Sequence, residues 1–551
     1  MTDDEYKHHS SQREAYSQNV IDSSARKRLV MAGPGTGKSF LFRQIAKNLK
    51  SQDKDKILVL TFINELVKDL AVDMHGLAEV STLHSFAAKK LSSRQNIYLD
   101  LLPVISHDYQ VETGADVAIK YPPILNNLDL DGHDAELGYL TKRRKYYESY
   151  DATTIVFDLV TLYANDESKI PTYDLIMIDE YQDFNELEAK LIELLSIKSP
   201  ILIAGDDDQS LYSFKHSRPD KIRNIHANDD HETFELPYCS RSTRVVIDAF
   251  HDFLTSAKSN GHLNGRVDKQ YLYFPDPKKD KYSDQYPTIE VRRQVYETKN
   301  AFTIDKAIKN IFQFEPEFDV LVICPLKKQI PKIAQALRKK GYTNVSGDEK
   351  IGNIKQKLAD GLHILFNNKD SNLGWRLCAD ALANSNELTD AIKKSADFQK
   401  LFKDCLPSDL VATIKKLRAI TVKLEKAQSI SAEDRNLIFE KLGVEPEKLG
   451  ETYAKELIFG SALSGDLHCS TKIKVTTILG SKGLSYDYVF MINFDDQYLL
   501  PGGKVDDESI NKFLVALTRS RKKISIYTTK DTEPTFVSWI KDERKAVLGV
   551  E

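Results

Sequence analysis

Cysteine is scarce: five residues in 551 (Cys239, Cys324, Cys378, Cys405 and Cys469), with no CxxC pair. That scatter argues against a disulfide framework or a cysteine-rich zinc site and suits a reducing compartment. Glycine and proline, at 24 and 18 residues, are too sparse for a collagen-like or linker-dominated chain. Long apolar runs are missing as well. Stretches such as Ile57–Leu60 and Val320–Cys324 fall far short of the roughly 20 residues of a membrane helix. The first residues, MTDDEYKHHSSQ, are polar and carry no signal-peptide pattern, so a cytoplasmic protein with no membrane partner is expected. Nor is there an excess of positive charge. Lys and Arg number 77 against 81 Asp and Glu, a net charge of −4, which excludes a uniformly basic binder but not a local basic groove.

What is present is the balance of a folded protein, 41% hydrophobic and 29% charged. The length predicts two to four domains. The short basic runs Lys142–Lys145, Lys278–Lys281 and Arg338–Lys340 read as solvated helix or loop ends rather than phosphate contacts. Arg28–Ala32, Ile57–Phe62, Leu175–Ile178 and Ile201–Ala204 are apolar or β-branched runs typical of buried parallel strands. A second block offers Thr288–Arg293, Phe318–Cys324, Ile473–Ile478, Tyr488–Asn493 and Ile524–Thr528. Lys327–Lys340 reads as an amphipathic helix stopped by Gly341. The pattern predicts an α/β protein with a first lobe over 1–94 and 151–233 and a second over 234–384 and 469–551. Each lobe carries an insertion, 95–150 and 385–468, the first polar and irregular in pattern, the second rich in Lys, Glu, Ala and Leu.

Two motifs carry recognisable chemistry. Ala32-Gly33-Pro34-Gly35-Thr36-Gly37-Lys38-Ser39 follows a strand and should open a helix at Ser39–Ala46. Glycines there let backbone N–H groups wrap a phosphate chain, Lys38 can reach the β and γ phosphates, and the Ser39 hydroxyl can ligate Mg²⁺. The apolar run Leu175–Ile178 ends in Asp179 and Glu180. Behind a phosphate loop, Asp179 suits Mg²⁺ held through water, and Glu180 suits a general base for the attacking water.

With these in place the chain resembles the UvrD/Rep family of superfamily 1 helicases, with motifs in family order along nearly its whole length. Gln12–Ala15 is similar to the motif whose Gln reads adenine. Thr61–Asn64 and Ser81–Phe86 resemble two motifs that contact single-stranded DNA. Asp179–Asn185 resembles the helicase form of the two-carboxylate motif, and Gly205–Tyr212 implies a γ-phosphate sensor at Gln209. Arg241–Thr243 and Val515–Arg519 match motifs carrying arginine fingers at Arg241 and Arg519, and Thr477–Gly483 resembles the fifth motif, with Lys482, Gly483 and Leu484 intact.

The resemblance implies two RecA-like P-loop lobes with parallel sheets, each carrying a mostly helical inserted subdomain. It implies ATP and Mg²⁺ as cofactors, with Gln12, Gly33, Pro34, Gly35, Thr36, Gly37, Lys38 and Ser39 binding nucleotide, and Ser39 and Asp179 binding metal. Glu180, Gln209, Arg241 and Arg519 would be catalytic. Single-stranded DNA would lie on Phe62, Asn64, His84, Tyr212 and Phe214, although by pattern alone the aromatics read as core. The expected activity is a 3′→5′ DNA helicase or translocase acting on a 3′-tailed duplex, in DNA repair or a related process, with a nuclease as a possible protein partner. No nuclease motif follows Arg519. The competing expectation is a nucleotide-gated DNA- or protein-binding subunit of a repair or phage-defence complex, with weak or no unwinding. It is motivated by departures from the family: Ser240 replaces a Tyr that stacks on adenine, Leu479 and Ser485 replace His and Glu, and Phe214-Lys215 replaces Trp-Arg.

Overall fold

The structure, a computed structural model, describes residues 3–62, 64–91, 96–211, 219–347, 356–426, 428–443 and 471–548. Its frame is two all-parallel sheets. The first has six strands in the order Glu79–Thr82, Ile57–Thr61, Leu175–Ile178, Ile201–Gly205, Lys27–Ala32, Glu232–Leu236. Alternate residues of each strand enter different cores. Leu29, Met31, Leu58, Leu60, Ile176 and Ile178 face the helices Ala152–Asn165 and Glu186–Lys198. Val30, Ala32, Val59, Met177 and Leu202 face the helix Lys38–Lys50. Burial on both faces is why these strands read as near-continuous apolar runs.

The second sheet has seven strands, in the order Val345–Ser346, Lys472–Thr477, Asp319–Cys324, Tyr486–Ile492, Ser520–Tyr527, Ile289–Arg292, Lys545–Leu548. The helices Asn300–Phe312 and Ile330–Lys339 cover one face, and Arg244–Ser259 and Asp507–Leu517 cover the other. The strand Glu232–Leu236 pairs in register with Arg28–Ala32, so the first sheet extends to Leu236, past the expected boundary at 233. The chain crosses to the second lobe over 237–243, where the Ser242 hydroxyl donates to the Ser520 carbonyl at 2.6 Å.

The insertions are helical, as the resemblance implies, but the second begins earlier than expected. The first contains three helices, Leu101–Thr113, Tyr121–Asn126 and Asp134–Tyr147. In the second, helices already begin at Gln356–Asn367 and Asn372–Leu382, ahead of 385. Both belong to one hydrophobic core, in which Leu101, Ile105, Tyr121 and Tyr147 pack with Leu358, Leu362, Trp375, Phe402 and Leu417. An ion triad lies inside this core. Asp108 accepts from Arg143 Nε at 3.0 Å and from Arg376 Nε at 2.9 Å, and Tyr147 also donates to it. The insertions of the two lobes are therefore one helical body. Among the described residues no helix is long and apolar enough to cross a membrane.

Candidate functional site

The site forms at the carboxyl ends of the first sheet's strands, where ligands of open α/β sheets gather. Strand Lys27–Ala32 ends in the glycine loop, and the helix Lys38–Lys50 starts immediately after it. Gly35 and Gly37 have φ of +72° and +95°, a region that side chains other than glycine's rarely tolerate. Gly33 and Pro34 are buried, and the Thr36 hydroxyl donates back to the Gly33 carbonyl at 3.0 Å. Lys38 and Ser39 occupy the first turn of the helix, where its N–H groups and positive end favour an anion.

Strand Leu175–Ile178 delivers Asp179 and Glu180 beside this loop. Lys38 Nζ lies 3.3 Å from Glu180 Oε1 and 3.3 Å from the Ala32 carbonyl, so Glu180 neutralises the lysine. Burial works against charge on Glu180, but Lys38 and Lys482 outweigh it and hold its carboxyl below the usual range. Burial and the adjacent Glu180 charge push Asp179 up. Gln182 donates to Glu180 Oε2 at 2.6 Å, and its carbonyl oxygen accepts from the Asp206 N–H at 3.0 Å. It thereby ties the base to the strand that carries Gln209.

The second lobe closes the site. Ser240 donates to the Gly35 carbonyl from its N–H at 2.8 Å and from its hydroxyl at 3.1 Å. A methyl group added at Gly35 would lie 2.4 Å from Arg241 Cβ, so the bare glycine admits the arginine-bearing loop. Among the described residues no hydrogen bond or ion pair holds the Arg241 guanidinium, and burial lowers its pKa. Arg519 is 2% exposed and makes no ion pair with a carboxylate among the described residues; it donates to the Val515 carbonyl at 2.7 Å and to Gln209 Oε1 at 3.3 Å. Burial and the like charge of Arg241 push its pKa down to about 9. Among the described residues two buried guanidiniums, Arg241 beside the glycine loop and Arg519 on Gln209, thus make no ion pair with a carboxylate, an arrangement suited to a polyanion. Lys482 crosses from the second lobe to Asp183 Oδ2 at 2.6 Å and also donates to the Gln209 carbonyl.

Gln209 links these groups, donating from Nε2 to Asp206 Oδ2 at 2.8 Å while accepting from Arg519. Asp206, Asp207 and Asp208 cluster closely enough to suggest a cation site. Their charge is already met by Lys269, which contacts all three, by Arg266 on Asp208 at 2.8 Å, and by Arg223 on Asp207 at 2.9 Å. Tyr271 completes the network with 2.9 and 2.6 Å bonds to Asp206 and Asp208.

The structure therefore brings together Gly33, Pro34, Gly35, Thr36, Gly37, Lys38, Ser39, Asp179, Glu180, Gln209, Arg241 and Arg519. Their donor set fits a nucleotide triphosphate: a glycine cradle that a Cβ would obstruct, a lysine, and two buried guanidiniums, of which Arg519 is held only by neutral acceptors among the described residues. Ser39 and Asp179 supply oxygen ligands of the kind Mg²⁺ takes. Gln12 lies on the N-terminal helix Asp3–Asp22 and accepts from the Tyr238 hydroxyl at 2.6 Å. Phe62 is half-buried at the edge of the first lobe's core, edge-on to Phe184 at 5.6 Å. His84 Nε2 lies 3.2 Å from Glu188 Oε1. Asn64 opens the helix Asn64–Asp73. Tyr212 and Phe214 lie outside the described residues.

Sequence reasoning left Gln182, Lys482, Lys269 and Tyr271 out of the site. Gln182 and Lys482 stood within recognised motifs, and that position was the available signal. Nothing local marks Lys269 or Tyr271, whose partners lie about 60 residues away in sequence, at separations of 62 and 65.

Comparison with known proteins agrees with this geometry. A family model described as an AAA domain matches residues 12–215, and one described as the UvrD-like helicase C-terminal domain matches 383–531. The chain is similar to DNA helicase II of Rickettsia typhi, 26% identical over 280 residues, 42% of this chain and 43% of that relative. A probable DNA helicase II homolog of Mycoplasma capricolum is 23% identical over 620 aligned positions, covering 96% of this chain and 84% of the relative. An ATP-dependent helicase/nuclease subunit of Natranaerobius thermophilus is 27% identical over 210 residues, 33% of this chain and 16% of that relative. This chain thus spans less than half of the Rickettsia relative and most of the Mycoplasma one.

Proposed function

We infer a mechanism from one premise: this chain belongs to the UvrD-like helicases of superfamily 1. It is an ATP-dependent DNA helicase that moves 3′→5′ along single-stranded DNA and opens a 3′-tailed duplex. The observation that supports ATP hydrolysis is the pair Arg241 and Arg519, brought by the second lobe to the site with no carboxylate in ion-pair contact among the described residues; the polarity rests on the resemblance alone.

The chain's own groups supply the steps. The loop amides and Lys38 take the β and γ phosphates. In doing so Lys38 gives up its 3.3 Å contact with Glu180, and the freed carboxylate, oriented by Gln182, accepts a proton from the attacking water. Mg²⁺, held at Ser39 and Asp179, would neutralise charge on the phosphate oxygens. Arg241 and Arg519 stabilise the charge that develops on the transferring phosphoryl group. The γ-phosphate relieves the repulsion between those guanidiniums, so its presence favours the closed lobes and its loss favours reopening. Phe62, Asn64, His84, Tyr212 and Phe214 are assigned to the strand-binding side, where bases stack on aromatics with little sequence preference. The relative described as a helicase/nuclease subunit supports a nuclease as a possible partner.

Strand displacement tests this reading. A labelled strand should leave a 3′-tailed duplex with ATP, and not with a non-hydrolysable analogue or from a 5′-tailed duplex. If ATP and the analogue change DNA affinity alike and neither tail yields displacement, the chain is a nucleotide-gated binding subunit instead.

A further inference from the structure

We infer that Tyr238 sets the nucleobase preference of this site by fixing the orientation of the Gln12 carboxamide. This rests on the reading that the base meets Gln12. Tyr238 occupies a position where such a role is possible. It follows strand Glu232–Leu236, whose last residue is in register with Ala32 before the phosphate loop. Two residues later, Ser240 binds the Gly35 carbonyl. Both polar groups of Ser240 are committed to that carbonyl, so no aromatic at 240 faces the base, and selection falls to in-plane hydrogen bonds.

A carboxamide offers one acceptor and two donors at its two ends. Adenine presents an amino donor beside a ring acceptor and matches it, whereas guanine presents two acceptors on the same edge. Discrimination therefore needs the amide to be held one way round. The Tyr238 hydroxyl donates to Gln12 Oε1 at 2.6 Å and has no other hydrogen-bond partner among the described residues. Its side chain is buried, with the residue 8% exposed, and its ring is hemmed by Tyr16, His9 and Phe274 with centroids at 6.1, 6.3 and 6.1 Å. Flipping the amide would make the hydroxyl the acceptor of an Nε2–H bond and leave the phenol proton without a partner among the described residues, the less favourable arrangement. On the other side His8 Nε2 lies 3.1 Å from Gln12 Nε2, which occupies that end of the amide. Oε1 keeps a second lone pair for the amino group of adenine. Tyr238 is thus a positioning residue that acts through Gln12.

The test compares kcat/KM for ATP and GTP in wild type, Tyr238→Phe, Gln12→Ala and the double variant. Tyr238→Phe keeps the ring and removes only the hydroxyl. It should lower the ATP-to-GTP ratio about 3- to 10-fold, the worth of one neutral hydrogen bond, with the change in KM rather than kcat. Gln12→Ala should lower the ratio at least as far, and the double variant should match Gln12→Ala alone. Displacement of a fluorescent nucleotide by ATP or GTP gives the same ratio without turnover. A wild-type ratio in Tyr238→Phe beside a collapsed one in Gln12→Ala would overturn the positioning role, as would multiplicative effects in the double variant. A wild-type ratio in Gln12→Ala would overturn the reading of Gln12 itself, and this inference with it.

Discussion

In the proposed mechanism Lys38, Glu180, Arg241 and Arg519 act on one triphosphate but at different moments, so single substitutions should separate their effects. Glu180→Gln removes the base and also releases Lys38 from its ion pair. ATP affinity should hold or tighten while turnover falls about 100- to 10,000-fold, checked by nucleotide titration beside steady-state hydrolysis. Turnover within threefold of wild type would show that another group activates the water. Arg241→Ala and Arg519→Ala should each cost at least about 100-fold in kcat with a smaller change in affinity, because these groups meet charge that grows in the transition state. Normal kcat with weakened binding would make either one a ground-state contact. The positions of Lys38 and Glu180 were legible because one opens a helix and the other follows a strand end, whereas Arg241 and Arg519 were named through the resemblance. Gln182, Lys482 and Tyr238 were harder to place, since their value lies in partners on other motifs: the Asp206 N–H, Asp183 and Gln12. A one-dimensional pattern does not show those pairings.

At the scale of elements, the central strands were legible, because burial on both faces leaves runs such as Leu175–Ile178 wholly apolar, whereas the edge strands Glu79–Thr82, Glu232–Leu236, Val345–Ser346 and Lys545–Leu548 were not. The helix Asp134–Tyr147 was not, since its buried positions are Leu140, Arg143, Arg144, Tyr146 and Tyr147, which read as a polar surface. Its place in the fold depends on Asp108, which compensates Arg143 and Arg376 inside the shared core of the insertions. Removing Asp108 leaves two buried guanidiniums without a counter-charge. Asp108→Ala should cost about 3–5 kcal/mol in the unfolding of this body, measured by urea denaturation. A cost below about 1 kcal/mol, within the range of an exposed pair, would mean that the triad is solvated. Burial would raise the Asp108 pKa, but Arg376 and Arg143 hold it below its ordinary value. Its contribution is therefore complete above the unfolded carboxylate pKa of about 3.9 and is lost as pH falls from there towards the lower folded value.

Across the whole molecule two of the places where the lobes meet stand out. One is the nucleotide cleft, through Ser240 on Gly35, Lys482 on Asp183 and Arg519 on Gln209. The other is the insertion body, where helices from both lobes share a core. That second junction was not legible, because it joins segments more than 200 residues apart, as in the Arg376–Asp108 pair at a separation of 268. At the cleft, Gln209 contacts both the Arg519 finger and Asp206, and its carbonyl accepts from Lys482 of the fifth motif. A strand that shifts either lobe must therefore shift the γ-phosphate site, and binding energies couple reciprocally. The most direct measurement is steady-state ATP turnover by the wild-type chain against the concentration of a single-stranded oligonucleotide. The account predicts a rise in turnover that saturates with oligonucleotide and disappears in Arg519→Ala. Turnover that stays flat across saturating oligonucleotide would contradict coupling between the cleft and a DNA strand.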